Sequence, residues 1–249
     1  MIEIHPLAMV GEVEPGSDLV AILSESLVAA GLSVSSADVL VVTQKIVSKA
    51  EDRYVALDSV NPSEEALRLA KVTHKDPRLV ELVLTESTAV IRAATNVLIT
   101  RHRCGYVMAN AGIDRSNTGS GDRVLLLPQN ADASALRLHQ GLGLRFGTRP
   151  AVVISDSFGR PWRYGVVNVA LGASGLPSLI DKRGTPDRDG RSLEVTQIAF
   201  ADMLASAAGL AMGEGAESIP AALIRGAIYP AGSLPASALL RPLSEDLFQ

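Results

Sequence analysis

Apolar residues recur along the chain at two spacings. Leu19, Ile22, Leu23, Leu27 and Val28 return every three or four positions, which predicts a helix over residues 18–30, capped by Ser17 and stopped by Gly31. Residues 38–43 instead form a nearly unbroken apolar run, the pattern of a strand buried on both faces. A short strand is predicted at 2–5. Helices are predicted at 62–73 and 76–85; the first has Pro62 in its opening turn, with Glu64 and Glu65 near its positive end. Strands follow at 89–91, 97–100, 106–108 and 124–127, then a helix at 131–146 and a strand at 151–154 that runs into 155–160. Residues 165–190 are glycine-rich and show no clear period. A long Ala-rich helix is predicted at 193–212, ending at Gly213-Glu214-Gly215, and a last strand at 219–225. This mixed order predicts an α+β fold and not a regular βαβ array. There is no internal repeat or low-complexity linker. Residues 1–249 read as one unit, with 185–192 the only place for a sub-boundary.

Composition narrows the picture. The chain has 249 residues, 47% of them hydrophobic and only 4% aromatic, so its core must be aliphatic. With 23 basic and 27 acidic side chains its formal charge is −4, which supplies no general attraction for nucleic acid. A local basic pocket for a small anion stays open. One cysteine, Cys104, excludes an internal disulfide framework and a cysteine-built zinc site, and fits a reducing cytoplasm. Residues 1–6 have neither the basic start nor the apolar run of a signal peptide. Apolar stretches are broken well short of the roughly 20 residues that span a bilayer. A cytoplasmic protein that binds neither membrane nor nucleic acid is expected.

Three acids stand out by context. Asp114 and Asp156 each follow an apolar strand beside small polar residues, and Glu214 lies between two glycines at a helix end. Carboxylates at such ends gather hard divalent cations, and they also cap turns. Three glycine clusters, at 118–121, 172–175 and 213–215, suit either phosphate contact or tight turns. None is a Walker A sequence or a dinucleotide fingerprint. Lys45, Lys49, Arg115, Arg160, Arg163, Lys182, Arg183, Arg188 and Arg191 flank these loops, as anion-capturing groups or as solvated surface charges. His5, His74, His102 and His139 form no metal-binding pair. Cys104 reads as a small buried residue, and no nucleophile elbow occurs.

Five segments together resemble one family. Val41-Val42-Thr43-Gln44-Lys45-Ile46-Val47-Ser48-Lys49-Ala50-Glu51 is similar to a conserved stretch of the coenzyme F420-0:L-glutamate ligases, the gamma-glutamyl ligases of deazaflavin biosynthesis. Asn61-Pro62-Ser63-Glu64 with residues 75–81 resembles their first helical pair. Residues 110–117, Asn-Ala-Gly-Ile-Asp-Arg-Ser-Asn, resemble their NAGID motif. Residues 155–163 and Met212-Gly213-Glu214-Gly215 resemble two later motifs. The likeness runs from the first strand to about Arg225.

The resemblance implies an α+β fold assembled as an intertwined homodimer, without the additional C-terminal flavin domain that some members carry. It implies a GTP-dependent ligase with two divalent cations, Mg²⁺ or Mn²⁺, that adds L-glutamate to the terminal carboxylate of F420-0 through an acyl phosphate. By matching motif, Asp114 and Asp156 are the catalytic and metal-holding carboxylates, and Ser157 and Glu214 complete the second metal site. Gln44, Lys45, Lys49, Asn117 and the segment Gly213, Glu214, Gly215, Ala216 and Glu217 contact nucleotide. Ser157 stands where the family usually has Thr, and residues 9–13 depart from its N-terminal turn. A metal-dependent phosphohydrolase and a non-catalytic deazaflavin- or nucleotide-binding protein are the competing readings.

Overall fold

The computed structural model describes residues 1–8, 11–116, 118–119 and 121–246. Its elements run β1 (Glu3–Leu7), α1 (Leu19–Ala29), β2 (Val39–Thr43), α2 (Gln44–Ala50), β3 (Tyr54–Ala56), α3 (Glu64–Thr73), α4 (Pro77–Thr85), β4 (Ser87–Ala94), β5 (Val97–His102), β6 (Val107–Ala109), β7 (Arg123–Leu125), α5 (Ala131–Phe146), β8 (Ala151–Arg160), β9 (Arg163–Ser174), β10 (Leu179–Asp181), β11 (Gln197–Ala199), α6 (Phe200–Met212) and β12 (Ala221–Arg225). A five-stranded sheet has the order β1-β12-β2-β8-β9. Only β2 and β8 pair in parallel; the other neighbours are antiparallel. This mixed sheet agrees with the α+β class.

The apolar run of β2 is explained by layers on both sides. Leu40 and Val42 pack with Val152, Ile154 and the helices α1 and α5, while Val39 and Val41 pack with Val153 and α6. Gly172 on β9 makes one of these approaches possible, since a Cβ there would stand 2.2 Å from the Ala131 carbonyl oxygen at the start of α5. A third apolar cluster, including Leu57, Leu69, Val80, Val83, Leu98 and Val124, lies between α2 and α5 in the chain. It joins α3, α4 and the β4-β5-β6 sheet.

Several local expectations change. Asp18, not Ser17, caps α1, accepting from the Val20 and Ala21 amides at 3.0 and 3.1 Å. The Ser17 hydroxyl turns back to accept from Glu14 N. Residues 44–50 are a helix that a seven-residue pattern is too short to reveal. The glycine-rich stretch after residue 162 contains the 12-residue strand β9, held by its long pairing with β8. The helix predicted from 193 begins at Phe200, because β11 pairs residues 197–199 with β10. Val195, Thr196 and Ile198 carry β-branched side chains, which suit a pleat better than a helix. Gly213, with φ +74°, ends α6 as expected.

Candidate functional site

Strand β2 ends at Thr43, opposite Ser155 of its parallel neighbour β8, which runs on to Arg160. The carboxyl ends of parallel strands are where open sheets leave a crevice for ligands. The next residues along, Gln44 and Asp156, open that crevice. A cavity of about 1020 Å³ lies here, lined by the loop at 11–15, Lys45, Lys49, Tyr54, Asp114, Ser116, Arg123, Asp156, Ser157, Asn168 and residues 212–220. A second cavity of about 200 Å³ adjoins it, lined by Gln44, Met108, Ala109, Gly112, Ile113, Asp114, Asp156, Ser157, Phe158 and Gly159. Asp114, Asp156 and Ser157 belong to both.

Local structure aims these groups. Lys45 and Lys49 lie four apart on α2 and therefore share a face. Asp114 forms an antiparallel bridge to Leu125, the last residue of β7. Asp114 is 2.5 Å from Lys45 Nζ and accepts from Ser116 N at 2.7 Å and Ser116 Oγ at 2.8 Å. Burial opposes its charge, but these donors outweigh burial and hold the carboxyl below its ordinary range. Asp156 is pushed the other way, up to about 7: burial is the main cause, the nearby Asp114 charge adds to it, and the Ser157 amide and Gln44 only partly compensate. Lys45 thus compensates Asp114, while the more deeply buried Asp156 has no ion pair among the described residues.

Lys49, nearly buried, pairs with the exposed Glu12 at 3.2 Å. Glu214 accepts from Asn168 Nδ2 at 2.7 Å. Glu217 folds back to accept from Gly215 N at 2.7 Å, so the glycine turn after α6 closes on a carboxylate. Backbone turns that aim N–H groups at an anion suit phosphate equally well.

Lys45, Lys49, Asp114, Asp156, Ser157, Gly213, Glu214, Gly215, Ala216 and Glu217 all line the large cavity, and Gln44 lines the small one. Asn117 lies outside the described residues. Arg115, Arg160, Arg163, Lys182, Arg183, Arg188 and Arg191 line neither cavity. Arg115 and Arg183 pair with Asp122 and Asp181. Sequence reasoning missed Arg123, whose guanidinium lies 4.2 Å from the Tyr54 ring centroid, and Asn168, hidden in the stretch without a period. Arg123 directly follows the glycine loop, which was the available signal. Cys104 is half-buried beside His102 and not a fully buried small residue.

The donors fit hard cations. Asp114, Asp156, Ser157 and Glu214 offer only oxygen, the choice of Mg²⁺ and Mn²⁺ and not of zinc. Unbalanced charge at Asp156 is what a divalent ion would neutralise. Among the described residues, no three His, Cys, Asp or Glu side chains converge on one point.

The chain resembles known proteins over most of its length. The family model described as F420-0:Gamma-glutamyl ligase matches residues 9–226. A Coenzyme F420:L-glutamate ligase of Methanopyrus kandleri is 42% identical, covering 100% of this chain and 98% of the relative. Proteins of the same name from Methanocaldococcus jannaschii and Halobacterium salinarum are 41% and 44% identical, covering 87% and 89% of this chain and 86% of each relative.

Proposed function

The chain belongs to the F420-0:Gamma-glutamyl ligase family, and from that premise we propose that it joins L-glutamate to the terminal carboxylate of F420-0 at the expense of GTP. The observation that carries this reading is the position of Asp114, Asp156 and Ser157 in the wall common to two adjoining cavities. One cavity is large and has two lysines and a glycine turn; the other is small. A nucleotide in the large cavity and an acceptor carboxylate in the small one would meet at those three side chains.

A carboxylate does not condense with an amine in water until one of its oxygens becomes a leaving group. GTP supplies that step: the acceptor carboxylate attacks the γ-phosphorus, GDP leaves, and an acyl phosphate forms. The glutamate amine then attacks the acyl carbon and expels phosphate, giving an amide. Lys45 and Lys49 hold the phosphates, the backbone of residues 213–217 orients the nucleotide with Asn117, and Gln44 lines the small cavity. Asp114 and Asp156, with Ser157 and Glu214, would hold two divalent cations, which shield the phosphates and stabilise charge during transfer. Every reactant is an anion, so a chain of net charge −4 needs this local positive charge.

The working form is a cytoplasmic homodimer. In support, Trp162 and Tyr164, at the tip of the β8–β9 hairpin, are 88% and 104% exposed. No helix among the described residues is long and apolar enough to cross a membrane. The decisive experiment is product analysis by mass spectrometry with GTP, Mn²⁺, L-glutamate and F420-0. Glutamate-dependent formation of the amide with GDP and phosphate is expected. Phosphate release independent of the other substrates indicates a phosphohydrolase. Lys49→Met should raise the GTP requirement and leave that for glutamate unchanged. Light scattering tests the dimer.

A further inference from the structure

Asn168 on β9 belongs to none of the motifs discussed above, yet it lies where three elements meet. It is the direct cross-strand partner of Ser157. Directly opposed residues of an antiparallel pair project their side chains from the same face, and both line the large cavity. Its Nδ2 donates to Glu214 Oε1 at 2.7 Å. An ionised carboxylate can only accept, so this contact fixes which end of the amide faces Glu214.

Helix α6 clamps Asn168 from the far side. Ser206 Oγ donates to the Asn168 carbonyl at 2.7 Å. Gly209 stands against the amide, and a Cβ there would come within 2.4 Å of Nδ2. One turn later the same helix ends at Gly213 and delivers Glu214. The absent side chain at 209 is therefore the space the Asn168 amide occupies. Glu214 follows the end of a helix, beside two glycines, and would otherwise have many rotamers and backbone states available.

We infer that Asn168 is a positioning residue for the second cation: it fixes the Glu214 carboxylate beside Ser157, and Gly209 exists to admit it. This rests on the two-cation reading above. Groups that orient a metal ligand typically account for about 10–100-fold in metal affinity. They should act on metal affinity more than on the binding of an amino-acid substrate.

The test is an Mn²⁺ titration of the full chain with GDP present, by calorimetry and by electron paramagnetic resonance of free Mn²⁺. Wild type should take up two ions. Asn168→Ala should weaken the second at least about ten-fold and leave the first unchanged. Gly209→Ala, which touches no ligand but displaces the amide, should do the same. In turnover, both should raise the Mn²⁺ requirement with KM for glutamate unchanged, and metal-free melting should identify any variant that fails to fold. Glu214→Gln should lose the second ion outright. If Glu214→Gln loses that ion while Asn168→Ala titrates like wild type, the positioning role is overturned alone. If wild type takes up fewer than two ions, or Glu214→Gln keeps both, the cation reading falls and the inference with it.

Discussion

Two of the acidic centres withdrawn from water in this molecule are solved in opposite ways. Glu86, at the end of α4, lies 3.2 Å from Arg53, 3.1 Å from Arg103 and 3.5 Å from the buried His102. Burial opposes its charge, but the neighbouring His102, a hydrogen bond from Arg103 and the two guanidinium charges hold its carboxyl below the ordinary range. Asp114 and Asp156 have a single lysine between them, and Asp156 is pushed up to about 7. A carboxylate whose charge is matched on all sides is cementing a fold. One left short of positive charge, in the wall of a cavity, is where the proposed cation would bind.

The sharpest way to break that contrast is to neutralise each centre. Asp156→Asn should cut ligation by more than about a hundred-fold, beyond the loss of a merely supporting group. Its metal-free protein should melt no lower than wild type at pH 8, because a buried, unmatched charge has gone. Near-normal turnover would remove Asp156 from the chemistry. Glu86→Gln should do the reverse, leaving turnover per folded molecule intact and destabilising the chain by about 3 kcal/mol, since two arginines lose their partner. At this length that is a fall of roughly 6–12 °C in melting temperature. Unchanged melting would make Glu86 an ordinary surface acid.

Cation binding sharpens the same comparison. At a hundred times its Kd, Mn²⁺ should stabilise wild type by about 2.7 kcal/mol. Differential scanning fluorimetry should show this shift in Glu86→Gln and not in Asp156→Asn. The pH dependence of the metal-free chain has two slopes of opposite sign. Between the ordinary aspartate value of 3.8 and about 7, the folded chain holds a proton on Asp156 that the unfolded chain releases. Stability should therefore fall as pH rises across that window and level off above it. Glu86 has a lowered carboxyl, so its contribution is present above the ordinary glutamate value of 4.5 and is lost as pH falls through its folded value. Chemical denaturation at several pH values should flatten the first slope in Asp156→Asn, leaving the part that the buried Asp202 contributes, and keep the second. The smallest effect concerns Cys104, whose thiol is held below its ordinary range chiefly by the neighbouring His102. The pH midpoint of its alkylation by iodoacetamide should rise in His102→Gln.

Much of this was legible in one dimension. The buried strand at β2 and the helices over 62–73 and 76–85 follow from apolar spacing and from punctuation by Pro, Gly and Asp, which act over a few residues; Asp156, expected just past a strand, lies inside β8, whose pairing with β9 carries the strand on to Arg160. The short helix α2 was not legible, since seven residues between a strand and a turn give no period to read. Strand β9 was hidden because its glycines and small residues acquire order only from the partner strand and from the helix ends that press on them, as Gly172 shows against Ala131. The start of α6 was misplaced for a related reason: β11 takes residues 197–199 into a ladder with β10.

The sequence by itself determined which residues could carry charge, oxygen donors and turns, because those are properties of single side chains and their near neighbours. Only the tertiary structure decided which of them meet. Lys45 reaches Asp114 across 69 positions, and Asn168 reaches Glu214 across 46. Neither separation carries a local signal. Of the basic residues singled out beside the glycine loops, Lys45 and Lys49 reach the cavity, while Arg183, Arg188 and Arg191 remain solvated on the loop that joins β10 to β11. Burial is likewise a property of the assembled fold. It makes Asp156, an aspartate in the middle of β8, hold its proton to about pH 7.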